Sequence, residues 1–307
     1  MSATAENQRL TVADIARMHG DGTPIPMLTA YDFPTARLLD EAGIPLILVG
    51  DSVGEVMLGY ESTVRVSMED MLHHTRAVVR GAGRSLVIGD MPFMSYATVD
   101  EALDSAGRFL REAGAQAVKV EGGVRTARVI EALVRAGIPV QGHIGWTPQA
   151  KYAMGGKVRV QGKTADRARS VIADALAVQE AGAFSMVLEL IPAQLAAAIT
   201  ERLRIPTIGI GAGPGCSGQV QVVTDLLGLG SFIPRHARPY AHLRETILEA
   251  AQKFAADVTA GTFPGTEESS QMDQTVLDEV LGRSALDRSE GVLGPAGSAG
   301  IPLDRDL

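Results

Sequence analysis

Short apolar runs recur along the chain, and each follows a helical segment that ends in glycine or a close variant. The runs are rich in Val and Ile and do not alternate with polar residues, which is typical of strands buried on both faces of a parallel sheet. Glycine ends a helix readily because it adopts the left-handed conformation without a steric penalty. The recurring phrases are EAGIPLILVGD (41–51), RGAGRSLVIGD (80–90), REAGAQAVKVEGG (111–123), VRAGIPVQGHIG (134–145), QEAGAFSMVLEL (179–190) and LRIPTIGIGAG (203–213).

The segments between these runs predict helices, because Ser67 with Asp70 and Thr98 with Glu101 have the spacing of a capping box. Two further strand-like segments, PMLTAYD (26–32) and QVQVVTDLLGL (219–229), flank the six phrases. Together they make about eight βα units, the number found in a (βα)8 TIM barrel. An open doubly wound α/β sheet is the alternative, although it usually has fewer strands.

The composition changes toward the end of the chain. A helix is predicted over residues 241–260, after which Gly, Ser, Pro and acidic residues dominate. We therefore predict a single barrel domain over residues 1–266 and a C-terminal tail over residues 267–307. The tail is expected to be partly flexible, with one short helix at 275–288.

Composition and charge restrict the class of partner. The chain has 307 residues, a formal net charge of −8 and only 4% aromatic residues. It shows no basic patch with interleaved aromatics, which argues against nucleic acid. Its single cysteine, Cys216, excludes an intrachain disulfide and a cysteine-based zinc site. No signal-peptide pattern and no membrane-spanning run is seen, so we expect a cytoplasmic protein without a membrane partner.

Polar residues stand where the predicted strands end. In a β/α barrel the active site lies at the carboxyl ends of the strands, so polar residues there indicate function. An unpaired buried carboxylate is also costly, which makes an accidental position unfavourable. The residues at these ends are Asp51, Ser52, Asp90, Lys119, Glu121, His143 and Glu189.

Asp51 and Asp90 end two neighbouring strands. Adjacent carboxylates repel each other unless a cation lies between them or one is protonated. Oxygen ligands suit a hard cation such as Mg²⁺, so the pair is a candidate metal site. The alternative is that each aspartate caps the helix that follows its strand.

Lys119 and Glu121 lie on one face of the next strand. Glu121 is placed to act as a third metal ligand or to hold a metal-bound water. Lys119 is suited to bind a substrate carboxylate or to stabilise an oxyanion, since a buried lysine is costly without an anion nearby. A purely structural Lys119–Glu121 ion pair is the alternative.

Glu189 ends the sixth strand, close to the opposite side of the barrel mouth. Its sequence neighbours are apolar, and a carboxylate in such surroundings suits general base catalysis. The alternative is a helix cap or an ion pair. His143 is a candidate for a supporting role, either donating to substrate or ordering Glu189, and it could equally be a core histidine.

The ordered set of motifs resembles the ketopantoate hydroxymethyltransferase family, over roughly residues 8–266. The family belongs to the phosphoenolpyruvate/pyruvate-type barrels. Single motifs are modest evidence, but their order and spacing are specific. They are LTAYD (28–32), LVGDS (48–52), DMPFMSY (90–96), VKVEGG (118–123), GHIGWTPQ (142–149), VLELIP (187–192), GIGAG (209–213) and FPG (263–265).

This resemblance implies an enzyme that transfers a hydroxymethyl group from 5,10-methylenetetrahydrofolate to 3-methyl-2-oxobutanoate through a metal-stabilised enolate. The product is 2-dehydropantoate, a precursor of pantothenate and coenzyme A. It also implies a cytoplasmic homodecamer with one Mg²⁺ per subunit, although other divalent metals would fit the oxygen ligands. The implied roles are metal binding by Asp51, Asp90 and Glu121, contact with the keto acid by Asp51, Ser52, Asp90 and Lys119, and general base catalysis by Glu189.

Two other functions fit a barrel with these residues. One is a C–C lyase or mutase of the related superfamily, but those enzymes commonly carry a Lys-Lys-Cys-Gly-type loop that this sequence lacks. The other is a non-catalytic barrel that binds an organic acid, which would not be expected to keep every catalytic carboxylate. The sequence departs from the family at 234–236, where Pro-Arg-His replaces Pro-Lys-Phe.

Overall fold

The computed structural model describes residues 8–282, and within this range eight parallel strands close into a barrel in chain order. The TIM-barrel prediction is therefore confirmed, and the open-sheet alternative is wrong. The strands are β1 Ile25–Thr29, β2 Leu46–Val49, β3 Leu86–Asp90, β4 Ala117–Glu121, β5 Val140–Gly145, β6 Ser185–Glu189, β7 Thr207–Ile210 and β8 Gly218–Gln221.

Helices connect most of the successive strands and cover the outside of the barrel. The two predicted capping boxes are present, with Ser67 capping α4 and Thr98 capping α5. The helices of the described chain are α1 Val12–Gly20, α2 Phe33–Glu41, α3 Val53–Val56, α4 Met68–Gly81, α5 Val99–Arg108, α6 Ala127–Arg135, α7 Ala165–Glu180, α8 Ala193–Arg202, α9 Val223–Leu226, α10 Leu243–Ala260 and α11 Gln274–Val280.

The strands divide the hydrophobic core into two layers. In β2, Leu46 and Leu48 belong to the cluster inside the barrel, whereas Ile47 and Val49 belong to the larger cluster between the strands and the helices. This alternation follows from the two-residue period of a strand. Both faces of each strand are thus covered, which explains the continuous apolar runs.

The chain divides into two compact units, Met1–Glu245 and Thr246–Leu307. In the second unit the rings of Phe254 and Phe263 meet edge to face at 5.4 Å between centroids. Helix α11 lies at the start of the predicted 275–288 helix, whereas the predicted flexible segment 289–300 lies outside the described residues. The division into a 1–266 domain and a 267–307 tail stays a prediction. No helix between residues 8 and 282 has the length and hydropathy needed to cross a bilayer.

Candidate active site

The carboxyl ends of the strands surround a cavity of about 710 Å³. Residues two apart on one strand share a face. Leu86, Ile88 and Ala117 point into the barrel, so the polar residues on the same face at the ends of these strands also point inward. All of the residues singled out from the sequence line this cavity: Asp51, Ser52, Asp90, Lys119, Glu121, His143 and Glu189.

Most of these charged groups are almost completely removed from solvent. Asp90 and Glu121 are 1% exposed, and Asp51 is 4% exposed. The side chain of Glu189 is more open, at 16%. Such burial of charge is stable only when each group is paired or hydrogen-bonded, so the contacts among them determine what the site can do.

Asp51 and Asp90 meet across the neighbouring strands β2 and β3. The backbone amide of Asp51 donates to Asp90 Oδ2 at 3.0 Å, and the side chain of Gln149 donates to Asp51 Oδ2, also at 3.0 Å. Neither aspartate caps a helix, because Ser52 precedes α3 and Thr98 caps α5. The helix-cap alternative is therefore wrong, and both carboxylates remain available to bind a ligand in the cavity.

The surroundings of this pair oppose its ionisation. Burial, followed by repulsion from Asp90 and Glu121, raises the pKa of Asp51 well above its usual range. Burial also raises the pKa of Asp90, although the neighbouring Lys119 works against that rise. The site therefore holds more buried negative charge than its own cations compensate.

Lys119 lies among these carboxylates on β4. Its Nζ is 2.8 Å from Asp90 Oδ1 and 3.4 Å from Glu121 Oε1. Burial would by itself lower the pKa of Lys119, but the charges of Asp90, Glu121 and Asp51 raise it above its usual value. The lysine is thus a permanent cation in the cavity. The predicted ion pair with Glu121 exists, and Asp90 is the nearer partner.

Glu121 is the most completely bonded of the carboxylates. Its Oε2 accepts from the backbone amide of Gln149 at 3.1 Å, and its Oε1 lies 3.3 Å from His143 Nδ1. Burial favours the neutral acid, but the charges of Lys119 and His143, with these hydrogen bonds, lower the pKa of Glu121 to about 2. Glu121 is therefore an anion throughout the physiological range.

His143 connects Glu121 to Glu189 across the mouth. Its Nε2 is 3.2 Å from Glu189 Oε2, on the opposite side of the ring from Glu121. Burial and the charge of Lys119 lower the pKa of His143, but Glu121 and Glu189 raise it to about 9. This geometry matches the predicted contact that would order Glu189. It also provides the ion pair named as the alternative for Glu189.

Two residues to which the sequence analysis assigned no role also belong to the site. The buried hydroxyl of Tyr31 is 2.8 Å from Ser52 Oγ, which fixes the serine at the cavity wall. Gln149 contacts both Asp51 and Glu121. Both lie in motifs that carry the family resemblance, LTAYD and GHIGWTPQ. Their polar contacts depend on segments distant in the chain, so strand periodicity contains no signal for them.

The donor set suits a hard divalent cation. At the strand ends, the four carboxylates of Asp51, Asp90, Glu121 and Glu189 face the two cations Lys119 and His143. Oxygen ligands and excess negative charge are what Mg²⁺ requires. Among residues 8–282, no group of three or more Asp, Glu, His or Cys side chains has the arrangement of a metal-ion site. The fit therefore rests on the donor chemistry and the charge.

The outer part of the cavity has a different character. The exposed Val158 and Phe232 give it apolar walls, and the buried Trp146 adds a further apolar surface to the cavity. Lys151 and Arg235 add positive charge. A ligand that combines flat apolar rings with anionic groups would match this lining.

Comparison with known proteins identifies relatives of high similarity. A family model described as ketopantoate hydroxymethyltransferase matches residues 9–266. A protein of Chloroflexus aurantiacus named 3-methyl-2-oxobutanoate hydroxymethyltransferase is 62% identical over 275 residues, which cover 89% of this chain and 97% of the relative. A protein of the same name from Roseiflexus sp. is 55% identical over 274 residues, covering 89% and 98%.

Solved structures with a similar backbone are more distant in sequence. A phosphonopyruvate hydrolase in complex with oxalate and Mg²⁺ aligns with a TM-score of 0.57 at 14% identity, covering 91% of this chain and 97% of that one. A phosphoenolpyruvate phosphomutase from Streptomyces platensis subsp. rosaceus gives a TM-score of 0.56 at 16% identity, covering 92% and 97%. At this identity the similarity shows a shared fold and nothing of the chemistry.

Proposed function

The chain belongs to the ketopantoate hydroxymethyltransferase family, and on that premise we propose that it transfers a hydroxymethyl group from 5,10-methylenetetrahydrofolate to 3-methyl-2-oxobutanoate. The product is 2-dehydropantoate, which leads to pantothenate and coenzyme A. One observation carries the proposal: a buried acidic cluster with a fixed lysine lies at the same barrel mouth as a more open glutamate.

Asp51 and Asp90 are the proposed ligands of a divalent cation, with Glu121 binding it directly or through water. Mg²⁺ is the proposed ion, one per subunit, and other divalent metals would fit the same oxygen donors. When bound, such a cation polarises the carboxylate and keto oxygens of an α-keto acid and stabilises negative charge on the keto oxygen.

The chain's own groups bind and orient the keto acid. Asp51, Ser52, Asp90 and Lys119 form the proposed substrate contacts. Lys119 remains charged because carboxylates surround it, so it can stabilise an anionic oxygen without a proton transfer. Tyr31 holds the hydroxyl of Ser52 through its own hydroxyl, which keeps the serine on the cavity side.

Glu189 is the proposed general base. It takes the C3 proton of 3-methyl-2-oxobutanoate, and the electron pair of the broken C–H bond moves toward the keto oxygen to form the enolate. C3 then forms a new bond to the methylene carbon of the folate donor, and the two C–N bonds of that carbon break. The folate nitrogens keep the electron pairs, take up the C3 proton from Glu189 and one proton of water, and leave as tetrahydrofolate. Atom balance requires one water molecule, because the carbon arrives as a methylene group and leaves bearing a hydroxyl group. His143, 3.2 Å away, orders the glutamate for these steps.

The folate donor is placed in the outer part of the cavity. Its flat ring system fits the apolar wall of Trp146, Val158 and Phe232, and its carboxylates fit Lys151 and Arg235. The donor carbon would then enter from the solvent side, opposite the acidic cluster.

A cytoplasmic homodecamer is carried over from the family as a further expectation. Exposed apolar side chains on α10, such as Ile247 at 53% and Phe254 at 56%, support association with further copies of the chain. Light scattering coupled to size-exclusion chromatography tests the number of subunits. A monomeric mass at micromolar concentration would contradict this expectation.

The transfer reaction and its first half are tested separately. Purified protein with Mg²⁺, 3-methyl-2-oxobutanoate and methylenetetrahydrofolate should form 2-dehydropantoate, detected by mass spectrometry. Without the folate donor, the C3 proton should exchange with solvent deuterium, because proton removal precedes carbon transfer. Absence of both product and exchange, with metal bound, would refute the mechanism. Exchange without product would refute only the assignment of methylenetetrahydrofolate as the one-carbon donor.

A further inference from the structure

We propose that Gln149 is the positioning residue that holds the Asp51 and Glu121 carboxylates in place for a divalent cation. The inference rests on the proposed function, since that function supplies the cation. Gln149 lies on the short 3₁₀ turn Pro148–Ala150 after β5, and it is 5% exposed. It comes from neither of the strands whose carboxylates it contacts.

The side chain and the backbone of Gln149 together contact three different elements of the barrel mouth. Its Nε2 donates to Asp51 Oδ2 at 3.0 Å and to the backbone oxygen of Met91 at 2.9 Å. Its backbone amide donates to Glu121 Oε2 at 3.1 Å. One residue therefore ties the end of β2, the segment after β3 and the end of β4 together.

Tyr96 determines which way the amide faces. Its hydroxyl donates to the Oε1 of Gln149, so the opposite side of the amide must present the NH₂ group. With the amide reversed, its oxygen would face the Met91 carbonyl, which can only accept, and the NH₂ group would lose its hydrogen bond to Asp51 Oδ2. The donors and the acceptor of the side chain are all used, which leaves the amide no other stable orientation.

A neutral donor serves a cation site better than a charged one would. Lys119 already lies between Asp90 and Glu121, and a further cation beside Asp51 would reduce the negative charge that attracts a metal ion. The amide of Gln149 orients Asp51 without adding charge. It also occupies only one oxygen of Asp51 by hydrogen bonding, and a carboxylate has a second oxygen that can serve as a ligand.

Mn²⁺ binding to the full chain tests this role, measured by the electron paramagnetic resonance signal of free Mn²⁺. Gln149→Met keeps the length of the side chain and removes its hydrogen bonds to Asp51 and Met91, while the backbone bond to Glu121 remains. We expect affinity to fall about 10- to 100-fold, the range typical of residues that orient metal ligands. Tyr96→Phe removes the hydrogen bond to Gln149 Oε1 and should weaken binding by a smaller factor, roughly three-fold or more.

Gln141→Met is the matched control. Gln141 is fully buried on β5, and its side-chain amide donates to Ser185 Oγ at 2.9 Å and to Met27 Sδ at 3.8 Å, not to a carboxylate of the site. Its variant should bind Mn²⁺ like the wild type. Equal loss in the Gln149 and Gln141 variants would mean that both act only on folding, and it would overturn the proposal.

The remaining outcomes also decide the question. Unchanged Mn²⁺ affinity in Gln149→Met, or a wild type that binds no Mn²⁺, would overturn the proposal. If circular dichroism shows that Gln149→Met does not fold, Tyr96→Phe decides instead, and wild-type affinity in that variant overturns it. A wild type that binds Mn²⁺ but forms no 2-dehydropantoate would refute the proposed function, while Gln149 would still be judged on Mn²⁺ affinity.

Discussion

At the scale of single residues, the site separates its carboxylates by their surroundings. Glu121 is held as an anion by Lys119 and His143, whereas Asp51 has no cation as close and resists ionisation. Glu189 stands on the more open side, with His143 as its nearest charged partner. Similar chemical groups thus acquire different roles from the charges next to them.

Glu189→Gln should keep divalent metal binding and lose at least about 100-fold in rate, because the amide cannot accept the C3 proton. Solvent deuterium exchange at C3 should be lost in parallel. Glu55→Gln is the matched control, since Glu55 lines the same cavity but lies on α3; we expect it to stay within about three-fold of wild type. Full activity of Glu189→Gln would remove this glutamate from the role of base.

Asp51→Asn should stabilise the metal-free protein, and increasingly so as pH rises. The pKa of Asp51 is raised in the folded state, so the unfolded chain loses its proton first and wild-type stability falls as pH climbs above the usual carboxylate range. Asparagine carries no charge and avoids this loss. Urea unfolding in EDTA at about pH 5 and about pH 8 measures the difference.

Asp40→Asn is the control, because its effect on stability at high pH should have the opposite sign to that of Asp51→Asn. Asp40 accepts hydrogen bonds from the backbone amides of Arg84 and Ser85 at 2.8 and 2.6 Å, and these outweigh partial burial to lower its pKa. Its stabilising effect is present above the usual carboxylate pKa and is lost as pH falls through the lowered value. This variant should therefore be less stable than wild type at the higher pH. The same pH trend in both variants would contradict the assigned causes.

At the scale of elements, glycines allow helices to approach the strands that carry the site. Gly89 precedes Asp90 on β3, and a Cβ there would lie 2.4 Å from the ring of Phe109, at the end of α5. On β5, a Cβ at Gly142 would lie 2.3 Å from Val178 of α7. Each glycine adjoins a charged site residue, so close packing outside the barrel sets the position of a charged group inside it.

Gly89→Ala should destabilise the protein by about 1–3 kcal/mol, because the buried Phe109 ring has to move. A displaced β3 should also shift Asp90 and weaken divalent metal binding. Gly20→Ala at the end of α1 is the control, since nothing lies within 4 Å of its added Cβ; it should be neutral or slightly stabilising. Equal unfolding midpoints for the two variants in urea would show that the Phe109 contact is unimportant.

At the scale of the whole molecule, closure of the barrel brings charged side chains together at one mouth. Strand order β1 to β8 brings residues from across the chain to one mouth, where Asp51 and Glu121 are bonded through Gln149. Excess negative charge in a buried place is a cost to the folded state. A bound divalent cation would offset that cost, so metal binding and stability should be linked.

Mg²⁺ at about 100 times its dissociation constant should stabilise the fold by about 2.7 kcal/mol, which corresponds to roughly 5–10 °C in the unfolding temperature of a domain of this size. EDTA should reverse the gain. Differential scanning calorimetry provides the measurement, and Asp51→Asn should lose most of the effect. An identical rise in unfolding temperature in the wild type and in Asp51→Asn would show that the ion binds at another site.

The sequence by itself determined the strands, the number of βα units and the acidic strand ends, because these depend on local periodicity and on the rule that parallel strands end at one mouth. The spacing of Lys119 and Glu121 already placed them on one face. Ordered motifs over most of the chain indicated the family, which the family model and the close relatives confirmed.

Only the tertiary structure decided how the charged groups pair. Asp90, rather than Glu121, is the nearer partner of Lys119, and His143 lies between two glutamates. Gln149 reaches Asp51 although 98 residues separate them in the chain. Such contacts depend on where distant segments meet after the barrel closes, and hydrophobic periodicity contains no information about distances between side chains. The electrostatic roles within the acidic cluster follow from those distances.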